Sequence, residues 1–90
     1  MTFYIAAYSN TVLLNYMAKH RIQRSEVCKI FHPNDLRGLT GGNLYVLWHP
    51  WDASTKRQIE QAVIDRMMKI IEIDYETTKE QLIQFEQEKE

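Results

Sequence analysis

Three short apolar runs punctuate the first half of the chain: Phe3 to Tyr8 (FYIAAY), Val27 to Phe31 (VCKIF) and Leu44 to Trp48 (LYVLW). Each has strand length, and the third is continuously apolar, the pattern of a strand covered on both faces of a parallel sheet. Between the first two, Val12, Leu13, Tyr16 and Met17 recur at helical spacing behind Ser9-Asn10, whose short side chains can accept the first free N–H groups of a helix. Lys19, His20 and Arg21 close that helix with positive charge, which suits its dipole. Pro33 to Arg37 reads as one helical turn ended by Gly38, and Leu39 to Asn43 as a turn that needs glycine at positive φ. Asp52 or Ser54 can cap a second helix, and no Gly or Pro follows before Glu90. The pattern predicts an α/β fold of the form βαββα: a small three-stranded parallel sheet in the order 2-1-3, right-handed crossovers, and one long C-terminal helix.

That helix dominates the second half. Residues 54–89 would extend about 54 Å at roughly 1.5 Å per residue, whereas a domain of this size is roughly 30–35 Å across. The chain therefore divides into a compact core, 1–53, and an arm, 54–90, that packs on the core and then projects. Ile59, Val63, Met67 and Ile70 would cover the sheet. Ile64, Met68, Ile71, Tyr75, Leu82 and Phe85, with Thr78 among them, keep the 4-3 spacing of a coiled-coil seam and are the expected oligomer or partner interface. A second reading breaks the helix near Asp74 to Thr78 and folds a final helix back, so that Leu82, Ile83 and Phe85 cover the other face of the sheet. A third leaves the end as a frayed acidic tail.

Length and composition narrow the class. Ninety residues make one domain, no apolar run reaches the span of a bilayer, and the N-terminus lacks the layout of a signal peptide, so a cytoplasmic protein without membrane contact is expected. Cys28 is the single cysteine and can form no internal disulfide. The net charge of −1 conceals a division. Residues 1–57 hold seven basic and three acidic side chains, and residues 58–90 hold four and nine. Lys19, Arg21, Arg24 and Lys29 are the candidate phosphate contacts, but no aromatic residue interleaves with them and the acidic arm opposes nucleic acid.

The segment His32-Pro33-Asn34-Asp35-Leu36-Arg37-Gly38-Leu39, followed by Asn43 to Trp48, resembles the stretch of terminase- and helicase-type P-loop ATPases in which an Arg-Gly turn leads into the Walker B strand. The resemblance implies an α/β topology. Trp48-His49 stand where that family places its acidic pair, and no Gly-rich loop ends in Gly-Lys-Ser/Thr, so NTP hydrolysis has no machinery here. The chain is also similar to small phage-encoded α/β proteins, which implies a mobile-element origin.

Ligands of open parallel sheets bind beyond the carboxyl ends of the strands. That edge would gather Ser9, Asn10, His32, Asn34, Trp48 and His49. His20, His32 and His49 lack metal-ligand spacing, and neither a cofactor, a metal nor a catalytic residue is implied. The expected function is that of a non-enzymatic interaction or inhibitor protein that binds a protein partner and forms homo-oligomers, a dimer above all. The alternative is a small nucleotide- or nucleic-acid-binding module using the strand C-terminal edge.

Overall fold

A computed structural model describes residues 2–47 and 51–88. Its elements are β1 (Phe3–Ala6), α1 (Asn10–Lys19), β2 (Val27–Ile30), β3 (Asn43–Leu47), α2 (Ala53–Asp65), β4 (Lys69–Ile73) and α3 (Lys79–Gln87), with 3-10 turns at Arg24–Glu26 and Pro33–Leu36. All strand pairs are parallel, in the order β2-β1-β3-β4, with Ile5 beside both Lys29 and Tyr45, and Tyr45 beside Ile71. The α/β class and the first three strands stand as expected. The sheet has four strands rather than three, and the long C-terminal helix is instead α2, β4 and the nine-residue α3.

The helix over 54–90 is interrupted twice, for local reasons. At the end of α2, Arg66 caps the helix, Met67 turns to φ 55, and the Met68 amide donates to the Val63 carbonyl at 3.0 Å. This is a Schellman-type stop, built with methionine where glycine is usual. Residues 69–73 (KIIEI) then form a strand, where three β-branched isoleucines lose less rotamer freedom than in a helix. The second break lies at 74–78. Asp74 accepts the Glu76 amide at 2.9 Å, and Thr78 opens α3 with a capping box, its hydroxyl accepting the Gln81 amide at 3.2 Å while Gln81 accepts the Thr78 amide at 2.8 Å.

Alternation along the strands divides the core in two. Phe3, Ile5, Tyr45, Leu47 and Ile73 meet α1 through Leu13, Tyr16 and Met17, and α3 through Leu82. Ala6, Ile30, Leu44 and Val46 meet α2 through Ile59 and Val63, with Leu36 from the second 3-10 turn beside them. The sheet is thus covered on both faces, α3 having folded back as the second sequence reading describes. Met67, expected among the sheet-covering residues, lies outside the core because the helix ends before it.

Candidate functional site

Of the residues expected at the strand C-terminal edge, Ser9, Asn10 and His32 make local contacts. The Ser9 hydroxyl caps α1 by accepting the Val12 amide at 3.3 Å, and His32 Nδ1 accepts the Asn34 amide at 3.2 Å. Asn10 Oδ1 accepts from the Lys29 ammonium at 3.3 Å. Trp48 and His49 lie outside the described residues. A shallow groove of about 360 Å³ runs from His32 and Asn34 to Gln58, Gln61 and Asp65, with Arg66 along it donating to the Leu36 and Ala62 carbonyls at 2.7 and 3.3 Å.

Two members of the basic cluster, Lys19 and Lys29, are likewise tied into the fold. Lys19 forms an ion pair with Glu76, and His20 Nε2 lies 2.5 Å from the Tyr75 carbonyl oxygen, its ring 4.8 Å from that of Tyr16. The Tyr16 hydroxyl donates to the Thr77 carbonyl at 2.6 Å. The end of α1 thereby clamps the 74–77 connection. Arg21 turns to positive φ after α1, Arg24 opens the first 3-10 turn, and both are exposed. Lys79 pairs with Glu26 at 2.6 Å, and this contact holds the Glu26 carboxyl below its ordinary pKa.

The residues of the expected seam separate. Leu82 is fully buried, Met68 is nearly so, and Ile71, Tyr75 and Phe85 are half-buried against the α1/α3 core. Ile64 alone among them is exposed, at 68%. Beside it stands Met67 at 81%, and the two make an apolar projection where α2 passes into β4.

Next to this projection lies a cavity of about 490 Å³, between the starts of β3 and β4 and the end of α3. Met67, Met68, Ile71 and Phe85 give it apolar walls, while Lys69 and Glu88 bring charge to it. Its polar floor is Asn43, 5% exposed, whose amide nitrogen donates to Glu86 Oε2 at 3.2 Å, the Tyr45 hydroxyl at 3.3 Å and the Phe85 carbonyl at 3.4 Å. The fully buried Tyr45 donates to the same Glu86 oxygen at 2.5 Å. Burial, reinforced by the hydrogen bond to Glu86, drives the Tyr45 pKa far above its ordinary value, so the hydroxyl stays a proton donor. The signal for this floor is the pair Asn43 and Tyr45 on one face of a strand. The sequence does not show that Glu86 reaches them, because no helical period links residues 41 and 43 positions apart.

The cavity thus combines apolar walls, one ammonium, the Glu86 and Glu88 carboxylates and the protonated Tyr45 hydroxyl. Among the described residues, no group of three or more His, Cys, Asp or Glu could hold a metal ion, and no helix is long and apolar enough to cross a membrane. No family model, no curated protein and no solved structure matches the chain.

Proposed function

We propose that the protein is a non-enzymatic binding module that acts by occupying a surface of another polypeptide. Its contact point is the corner formed by Ile64, Met67 and the adjoining cavity. The observation that carries this reading is Met67. Among the described residues it is the most exposed of the large apolar side chains, and it occupies a positive-φ position that a glycine would fill without strain. Two costs coincide at one residue, and covering its side chain with a partner offsets the first. Cavity walls of Ile71 and Phe85 beside the projection supply a place for the partner's own side chains.

The test is site-specific incorporation of a photoreactive diazirine methionine analogue at position 67 in producing cells, followed by irradiation. A covalent adduct to another polypeptide chain is expected. Modification confined to the same chain or to solvent overturns the reading.

A further inference from the structure

One of the sheet's two edges, β4, lies at the same corner. Among the described residues, β4 is hydrogen-bonded to β3 alone. The Lys69 amide donates inward to the Gly42 carbonyl at 2.8 Å, and the register pairs Lys69 with Asn43 and Ile71 with Tyr45. In a parallel ladder a residue sends its N–H and C=O to the same side, so Lys69, Ile71 and Ile73 face β3 while Ile70 and Glu72 turn their backbone groups outward. These outward groups form a template for a further strand.

Resting on the binding reading above, we infer that the strand added there is β4 of a second copy, running antiparallel about a two-fold axis at Ile70, so that two four-stranded sheets join into one of eight. Antiparallel neighbours that exchange both hydrogen bonds must each turn outward, and directly opposed side chains share a face. Three two-fold registers meet these conditions. An axis at Glu72 sets two carboxylates against each other. An axis at Ile71 sets Lys69 of the second copy opposite Ile73, away from the cavity and its carboxylates. An axis at Ile70 pairs the two Ile70 side chains and sets Lys69 of each copy against Ile71 of the other, on the face that carries the cavity. Lys69 of the second copy then stands at the cavity mouth, where Glu88 and the Glu86 carboxylate beneath it supply the opposite charge. Symmetry repeats the contact, as an isologous interface requires.

On the cavity face α3 leaves room, while on the other face α2 lies against β4, its Lys56 3.9 Å from Glu72. α3 rests on β3 through Leu82 against the Tyr45 hydroxyl and Phe85 against the Tyr45 ring. The two β3 strands would lie three strand spacings apart, about 14 Å, more than the roughly 8–10 Å between packed helix axes. The two cavities face each other across the seam between the two α3 helices.

The experiment is light scattering after size exclusion on the full chain and on two charge variants, Lys69→Glu and Glu88→Lys. The wild type is expected as a dimer. Each variant alone places like charges at both contacts, and its dissociation constant should rise about tenfold or more. Mixing the two variants restores a dimer. In that mixed pair the carboxylate introduced at position 69 of one copy meets the ammonium introduced at position 88 of the other, and the second contact keeps the native Lys69 and Glu88. Misfolding of either variant could not give this rescue. In a Cys28→Ala background, Ile70→Cys should form an interchain disulfide on mild oxidation and Ile71→Cys should not. A wild type that is monomeric at about 0.1 mM overturns self-pairing, and the adduct at position 67 then judges the binding reading on its own. A dimer indifferent to both charge variants, or crosslinked through Ile71→Cys instead, overturns this edge and register.

Discussion

Met67→Gly should stabilise the protein while weakening its contacts. Met67 holds φ 55 at the stop of α2, and the bond from the Met68 amide to the Val63 carbonyl depends on that turn. A non-glycine residue in this left-handed region costs roughly 1–2 kcal/mol. Glycine removes that cost but adds about 0.5–1 kcal/mol of backbone entropy to the unfolded chain. Met67 is 81% exposed, so little packing is lost with its side chain. The balance is a gain of about 0.5–1 kcal/mol, which in a domain of this size raises Tm by roughly 2–8 °C. The assay is thermal and urea unfolding followed by far-ultraviolet circular dichroism, with Arg21→Gly as the control, since Arg21 is also exposed and also holds φ 55. Arg21→Gly should raise Tm by a similar amount and leave association unchanged, whereas Met67→Gly should raise Tm and reduce association. A fall in Tm for Met67→Gly would refute the account of α2's stop, and unchanged association would refute the role given to the side chain.

Three further outcomes follow from the same contacts. Tyr45→Phe keeps the ring but removes the charge-assisted bond to Glu86, so stability should fall by about 2 kcal/mol, and the change combined with Glu86→Ala should cost less than the two separately, as a double-mutant cycle on chemical denaturation will read. Burial raises the pKa of both Tyr16 and Tyr45 above the ordinary 10.0, with Asp74 adding to the shift at Tyr16. A group with a raised folded-state pKa stabilises fully below its unfolded pKa and loses that contribution as pH rises past it, so stability should decline above pH 10 by about 1.4 kcal/mol per pH unit for each tyrosine. Urea titrations across that range should show half the slope for either single Phe variant; a flat alkaline limb in the wild type contradicts the burial of the hydroxyls. Thr78→Ala removes the acceptor for the Gln81 amide, and hydrogen exchange in α3 should quicken by an amount equivalent to about 1 kcal/mol.

The first half of the chain was legible because its signals are local. Ser9 and Asp52 cap the helices they precede, Gly38, Gly41 and Gly42 all hold positive φ, and the three apolar runs became β1, β2 and β3. The second half misled because Ile64, Met68 and Ile71 keep helical spacing across a helix end that carries no glycine or proline. Met67 occupies the position where glycine would have announced the stop, and the isoleucines of KIIEI were the strand signal that competed with the periodicity. The roles of the edge residues were hidden for another reason: a serine or histidine after a strand serves equally as ligand or as cap, and only the distances to Val12 and Asn34 show Ser9 and His32 capping. The corner at Met67 was invisible because exposure at a helix end depends on where the chain turns next.

The connection between β3 and α3 also bears on how the chain is made. Tyr45 and Asn43 are synthesised 41 and 43 residues before their partner Glu86. Until then the α1-facing side of β3, with Tyr45 and Leu47, lacks the Leu82 cover that completes it. A nascent chain therefore carries an apolar sheet face that α1 covers only in part, and native pairing waits on contacts of high sequence separation, which form slowly. The burden falls on the ribosome-bound state: chains cut short before α3 should be the ones that aggregate or are captured by chaperones, even with β1, β2 and β3 all translated.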